Sequence, residues 1–491
     1  PYDDKDALEL IRTGDTVGIF QIESSGFTQM MMQLDIGGYD CHPRGLTEVE
    51  KSRGIDITDF MWISAGLALY RPGPLDAVIE GKTMVKHLID RKAGLEPTTY
   101  LFPEEKEYLE ESYGIMIYQE QVMRRVRQMT GCTYGRADTL RKAMGKKDPI
   151  LMKDQMDWFE EQAMKHNFTS LPMTEAQKLK IVKRTREEME KFARYGFNKA
   201  HTVEYGHICY DNSYLKAHYP VAFYTALLNS EVDNPKRTTI IIRDMLKHGI
   251  KLLPPLVSQS DIYFTMTDKD TIRFGLAAIK GLGEKGLASI LEEKKKGAFT
   301  SPEDFKCRVP ATLCNVNSFT ALIQCGAFDD MLDKCIVPME NRATLAASAK
   351  NICEAIKKFS TKKGKNKPKP TPREAMEKLM QQKYVKESAE EDLIEYATWE
   401  KSILNYFISA HPIDAYTSEI SRWNAISDTD EADLPSEFYI AGFIGGYHET
   451  TIKKEGRNKG KKMGFVMVET EFRAYEATLF PGIYESCLPY M

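Results

Sequence analysis

Phe192 to Gly206 reads FARYGFNKAHTVEYG. A charged helical run enters it from Thr174, with Leu179, Val182, Met189 and Phe192 spaced to share one apolar face. Gly196 interrupts that run, and Phe197, Asn198, Lys199 and His201 follow at once. An aromatic ring, an amide, a cation and an imidazole in one turn can stack on a base, recognise its edge or a sugar hydroxyl, and neutralise phosphate. The plainer alternative is a helical corner stopped by Gly196 with its polar residues in solvent. On these residues alone the corner is the preferred reading.

The neighbouring stretches change that balance. Tyr113 to Met123 reads YGIMIYQEQVM, Thr139 to Lys147 reads TLRKAMGKK, and Leu69 to Leu75 reads LYRPGPL. Further strings are GIFQIESSGF near the start, FGLAAIKGLGEKG at Phe274 to Gly286, and SAHPIDAY at Ser409 to Tyr416. In this order the set resembles the bacterial replicative DNA polymerases of the C family, the polymerase III alpha subunits. The resemblance covers nearly the whole chain and begins at the polymerase fingers, so a piece of a longer polymerase is expected.

Composition sets outer limits. A chain of 491 residues holds several domains at ~100–200 residues each. With 42% hydrophobic and 28% charged residues it can bury real cores and stay in solution. No apolar run approaches the ~18 residues of a membrane span, and no basic-flanked apolar leader is visible. The nine cysteines form no C-x-x-C pair, which fits thiols in a reducing compartment and a cytoplasmic location. Net charge is only −4, but Gln121 to Lys153 holds nine basic residues against Asp138 and Asp148, a local +7. Such a field on a near-neutral chain can guide a polyanion into one groove.

In chain order, Pro1 to Ile11 has a helical pattern, Val17 to Ile22 suits a short strand, and Met30, Met31 and Leu34 suit a helix core. Residues 37–54 read as a loop. Arg71 precedes Pro72-Gly73-Pro74, a rigid turn that fixes where the guanidinium points, towards nucleic acid or an adjoining domain. Tyr118, Gln119 and Gln121 are polar stations that can reach phosphates or base edges, or equally satisfy backbone groups inside the fold. A helix over Ala137 to Met144 sets Arg141 beside Lys142; adjacent helical residues diverge by about 100°, so both reach one triphosphate only near the helix end. Asp211 to Ser230 reads as one helix burying Leu215, Val221, Phe223 and Leu227.

Phe264 to Phe274 reads as a hairpin with Asp268-Lys269-Asp270 at its tip. Ala278 to Leu291 carries a helix-hairpin-helix pattern in which Gly281-Leu282-Gly283 lets backbone N–H groups approach phosphate, flanked by Lys280 and Lys285. Lys357 to Arg373, with eight basic residues and no acid, reads as a linker. Phe438 to Phe480 alternates strand-like runs and turns, the start of an OB-like barrel suited to single strands.

The resemblance implies a multidomain α+β protein: mostly helical fingers (1–232), a helix-hairpin-helix duplex-binding region (233–345), a basic linker with charged helices (346–435) and an incomplete OB-like β-barrel (436–491). It implies part of a DNA-directed DNA polymerase working on primer-template DNA and deoxynucleoside triphosphates alongside other replisome subunits. Carried over by position, Arg141 and Lys142 contact the triphosphate, where the family often has two arginines. Phe197 lies against the nucleotide, Lys199 serves its phosphates and His201 sits near its sugar. Arg71, Tyr118, Gln119, Lys146, Lys147, Lys280, Gly281, Gly283 and Lys285 are the expected DNA contacts. Nucleotidyl transfer in this family needs palm aspartates holding Mg2+. Asp268-x-Asp270 and Asp428-x-Asp430 lie in turn-like contexts unlike a palm strand, so the expectation is a metal-binding palm outside this chain and no extension by the chain alone. A sliding-clamp peptide is implied before SAHPIDAY, where no glutamine-led aromatic motif is found. The alternative is a stand-alone, non-catalytic DNA-binding protein derived from polymerase fingers.

Overall fold

A computed structural model describes residues 2, 4–34, 59–71, 74–75, 78–79, 81–146, 148–192, 196–337, 339–360, 374, 377–378, 392–409, 411–423, 436–454, 456–470 and 474–490. The chain divides into two units, Pro1–Tyr219 and Pro220–Met491. The 37–54 loop, most of the basic linker, Lys147, Asp428 and Asp430 lie outside the described residues.

In the first unit α1 (Lys5–Thr13) starts on the Asp4 side chain and ends on Gly14 in the left-handed region, and α2 (Ser25–Gln33) buries Met30 and Met31 as expected. The predicted strand over Val17 to Ile22 is instead a series of turns. Gly18 and Gln21 take positive φ, and Ile19 N–H and Ile22 N–H bond locally to Thr16 and Phe20 carbonyls, which consumes the groups a strand would pair. Helix α3 (Asp59–Leu69) is apolar around its circumference and correspondingly buried. A two-residue ladder, β1 (Val78–Ile79) with β2 (Lys82–Thr83), leads into α4 (Met84–Lys92). Beyond the one-turn helix Lys106–Leu109, the longer helices are α5 (Gln119–Thr130), α6 (Tyr134–Lys146), α7 (Pro149–Lys165), α8 (Glu175–Phe192) and α9 (Lys199–His218).

Two apolar cores fill this unit, and the extended segment Ile115 to Tyr118 is the seam between them. Ile115, Ile117 and Tyr118 pack with α1 to α4 and α9, whereas Met116 packs with α5 to α8. Alternation of Ile115, Met116 and Ile117 follows from the two-residue period of extended chain. The seam ends in a single parallel bridge from Tyr118 to Phe197.

The single helix expected over Asp211 to Ser230 is broken: α9 ends at His218 and α10 (Pro220–Ser230) begins anew. Tyr219 sits at φ −133° and ψ 49° because a residue before proline is disfavoured in the helical region. The break changes the faces, so Leu215 is exposed while Tyr224 and Leu228 join Val221 inside.

The second unit continues with α11 (Pro235–Lys247), β3 (Lys251–Leu253), β4 (Thr265–Asp268) and β5 (Thr271–Arg273). The hairpin is as expected, and β3 adds to it parallel to β5. Helices α12 (Glu284–Lys296), α13 (Pro302–Arg308), α14 (Val316–Gln324), α15 (Arg342–Ser360) and α16 (Leu393–Leu404) share one core. SAHPIDAY begins on the buried Glu400, whose Oε2 accepts the N–H groups of Ile408 (2.7 Å) and Ser409 (2.8 Å) while Oε1 meets Arg342 at 2.9 Å. After α17 (Thr417–Trp423), strands β6 (Phe443–Thr451), β7 (Lys462–Glu469) and β8 (Ala474–Leu479) form an antiparallel meander before α18 (Pro481–Cys487). Its order is β6-β7-β8, an open sheet and not a closed barrel among the described residues. Arg243 from α11 (2.7 Å) and Lys401 from α16 (2.5 Å) both reach Glu469 on β7.

Candidate functional site

The turn after α8 is shaped by contact. Gly196 N–H returns to the Phe192 carbonyl at 2.8 Å, and a Cβ on Gly196 would stand 1.9 Å from the Phe192 ring. No larger residue fits without moving that buried ring. Asn198 then caps α9, its side-chain oxygen accepting from His201 N–H at 3.0 Å. Its amide donates to Glu120 at 2.9 Å. Asn198 is therefore committed to the fold, not held ready for a base edge as its position in the turn suggested.

Phe197 just before this cap and His201 and Tyr205 on α9 follow one another at four-residue spacing. Ring centroids are 5.2 Å apart for Phe197 and His201 and 4.2 Å for His201 and Tyr205. Phe20 closes the far end edge-on at 5.3 Å from Tyr205. At the near end the Arg71 guanidinium lies 3.4 Å from the Phe197 ring centroid. Partial burial pulls Arg71 below its ordinary pKa, with Tyr205 acting in the opposite direction. Arg71, placed at a DNA contact from its proline turn, thus shares one column with the residues expected around the nucleotide. The His201 side chain is 42% exposed, with Nδ1 3.8 Å from Glu204. Lys199 Nζ pairs with Glu111 at 2.5 Å, and its N–H donates to Glu120 at 3.0 Å.

Gln119 connects this turn to α6. Its N–H donates to the Phe197 carbonyl (2.9 Å), its Nε2 to the Gly196 carbonyl (2.8 Å), and its Oε1 accepts from Arg141 Nη1 (3.0 Å). Arg141 Nε also reaches Asp138 Oδ1 at 2.7 Å, and Lys142 Nζ reaches Asp138 Oδ2 at 2.8 Å. Asp138, which enters the sequence reading only as a charge, stands at i, i+3 and i, i+4 spacing to Arg141 and Lys142, a pairing the sequence makes legible. Lys146 is exposed at the end of α6.

One expected contact, Tyr118, and the polar station Gln121 face inward. Tyr118 is 2% exposed, and burial raises its phenol pKa strongly, with Ser64 and Thr202 beside it acting against that. It is a post between the cores and cannot face DNA in this arrangement. Gln121 is buried and takes the N–H groups of Ile117 and Tyr118 while donating to Tyr108 and Ser112. The +7 field shrinks likewise: Arg125 is buried between Glu105 (2.7 Å) and Glu188 (2.6 Å), and Arg136 lies over Trp158. Arg124, Lys142, Lys146 and Lys153 remain exposed.

In the second unit the expected hairpin keeps its turn but not its first helix, which is only a three-residue 3-10 turn at Leu276–Ala278. Gly281 adopts φ +96°, and its carbonyl accepts from the Ser318 hydroxyl at 2.8 Å. Gly283 caps α12. A Cβ at Gly281 or Gly283 would meet nothing within 4 Å among the described residues, so packing does not exclude side chains there. Lys280 and Lys285 are exposed beside them. Asp268 and Asp270 flank the hairpin tip, where Asp270 pairs with Lys251 at 3.3 Å and Asp268 accepts from Lys269 N–H at 2.7 Å. These commitments do not fit a pair of carboxylates awaiting catalytic metals.

Residues 1–37 and 52–167 match the bacterial DNA polymerase III alpha subunit finger domain, and residues 249–335 match a helix-hairpin-helix motif. The chain is 34% identical to the DNA polymerase III subunit alpha of Aquifex aeolicus over 99% of its own length and 36% of that protein's. For the same subunit of Campylobacter jejuni the values are 31%, 97% and 36%; for Deinococcus radiodurans they are 32%, 100% and 34%. The chain thus spans about a third of the length of the relatives it matches. No described helix is long and apolar enough to cross a membrane.

Proposed function

The chain belongs to the bacterial DNA polymerase III alpha-subunit family, and we propose that it supplies the incoming-nucleotide and DNA contacts of template-directed DNA synthesis. Arg141, Lys142 and Lys199 take the triphosphate of a deoxynucleotide, Phe197 lies against the nucleotide, and His201 borders its sugar. Lys146 and the Lys280–Lys285 turn hold the backbone of primer-template DNA. The observation that supports this most directly is the column Arg71–Phe197–His201, whose turn is tied through Gln119 to Arg141. An aromatic platform, a stacked cation and a phosphate-directed arginine are thereby brought together on separate stretches of chain.

The Mg2+ ions of nucleotidyl transfer belong, in this reading, to palm carboxylates outside these 491 residues. The β6–β8 meander is read as part of an OB-like domain, the setting as a cytoplasmic replisome, and the chain alone as unable to extend a primer. Two measurements test this. A fluorescence titration with primer-template duplex should show binding whose log affinity falls with log salt by about 0.9 per phosphate neutralised. The same chain with primed template, four deoxynucleotides and Mg2+ should give no extension. Binding indifferent to salt removes the DNA assignment, and metal-dependent extension places the chemistry in this chain.

A further inference from the structure

Asp138 pairs with both side chains proposed for the triphosphate. Arg141 and Lys142 leave α6 about 100° apart, yet both heads converge on one carboxylate, at 2.7 Å and 2.8 Å. The convergence is possible because Asp138 lies one turn earlier, three residues from one and four from the other. Hydrogen bonds from Lys142 and Arg141 hold its carboxyl below the usual carboxylate range. All three side chains keep solvent access, at 32%, 29% and 63% exposure for Asp138, Arg141 and Lys142. Ion pairs this exposed contribute little to stability and exchange readily. Lys199, the third expected phosphate cation, is held by Glu111 in the same way.

We propose that Asp138 is an internal stand-in for phosphate, a positioning residue that gathers Arg141 and Lys142 at one point and yields them to a polyphosphate ligand. This rests on the nucleotide reading of Arg141 and Lys142. A ligand with several negative charges displaces a single exposed carboxylate, and binding carries the cost of that exchange. The carboxylate lowers affinity for any polyphosphate irrespective of base, and keeps two cations paired when the site is empty.

Inorganic tripolyphosphate, titrated calorimetrically into the full 491-residue chain, isolates this contact from base and sugar. Asp138→Asn should bind about two- to fivefold more tightly than the parent, consistent with the modest worth of exposed pairs. The gain should vanish in an Arg141→Ala/Lys142→Ala background and shrink as salt is raised. Asp138→Ala, which cannot hydrogen-bond either cation, should show the same gain. A residue serving only helix stability would instead lower the melting temperature and leave tripolyphosphate affinity unchanged. Affinity unchanged or weakened in both variants, at an intact melting temperature, overturns the proposal for Asp138. If Arg141→Ala/Lys142→Ala itself binds tripolyphosphate as tightly as the parent, the nucleotide reading fails first and takes the proposal with it.

Discussion

Gln119 holds Arg141 and the Phe197 turn with one amide: its oxygen accepts from Arg141 at 3.0 Å and its nitrogen donates to the Gly196 carbonyl at 2.8 Å. The amide is expected from the sequence to meet DNA, and here it links Arg141, proposed for the triphosphate, to the Phe197 turn, proposed for the nucleotide. Both ends of the amide are therefore already in use.

Gln119→Ala should cost about 0.5–1.5 kcal/mol of stability, since it removes the part-buried hydrogen bond to the Gly196 carbonyl and frees Arg141 on one side. Nucleotide affinity should fall with it. Gln119→Glu keeps an acceptor for Arg141 but sets an acceptor against the Gly196 carbonyl, so it should lose stability while retaining more nucleotide affinity than the alanine variant. Denaturant unfolding and deoxynucleotide titration measure the two effects. Weakened DNA binding at unchanged stability would return Gln119 to the role its sequence position suggested.

Arg124 and Arg125 are neighbours in sequence with opposite duties. Arg125→Ala should destabilise the first unit by about 3–5 kcal/mol, because it strands the buried Glu105, whereas the part-exposed Glu188 keeps Arg184. Arg124→Ala should change stability by no more than about 0.5 kcal/mol. If Arg124 meets a phosphate, its removal should reduce the salt slope of DNA binding by about 0.9. A thermal shift of similar size for the two variants would contradict this division.

That pair shows where the sequence was readable and where it was not. Helical periodicity located α8 and the buried faces of Val182, Met189 and Phe192, and local turn chemistry located the β4–β5 hairpin. Which arginine of Arg124-Arg125 turns inward depends on Glu105 and Glu188, many residues away, and no local pattern carries that. Pro220 did announce a break that apolar spacing across Asp211 to Ser230 concealed. At the site, the four-residue spacing of Phe197 and His201 made their shared face legible, but their assembly with Arg71 and Arg141 was not. The column depends on Arg71 arriving from another stretch, and the link depends on Gln119. Asp138 was legible by spacing and was read only as a charge.

The second unit should lose stability as pH falls from about 7 towards 5, through His411. Its ring packs against Phe407 at 4.7 Å, and Nδ1 accepts from Ile413 N–H at 3.3 Å. Burial, helped by Arg243 and Lys401, holds its pKa below the ordinary value, while Asp414 and Glu469 oppose that. A histidine lowered in the folded state takes up its proton more readily when unfolded. Its contribution is therefore present above the unfolded value near 6.5 and is lost as pH falls through the folded one. Urea unfolding of the parent and His411→Gln across this range should show a shallower pH dependence in the variant. Equal slopes would remove His411 from the explanation.

His201 decides whether the column recognises a sugar or only supports the turn. Its ring lies between Phe197 and Tyr205, at 5.2 Å and 4.2 Å, so bracing is already visible. It is also 42% exposed, which leaves the imidazole edge available to a ligand. The two roles separate by substitution. His201→Phe keeps a ring between its neighbours and removes the polar edge, whereas His201→Ala removes both. If the imidazole crowds or hydrogen-bonds near the 2′ position, the ratio of ATP to dATP dissociation constants should narrow in both variants. If it only braces, His201→Phe should keep the parent's ratio and melting temperature, and His201→Ala should weaken both nucleotides equally as the column loosens. A preserved ratio in His201→Phe would therefore make His201 structural, and leave sugar discrimination to another residue at the site.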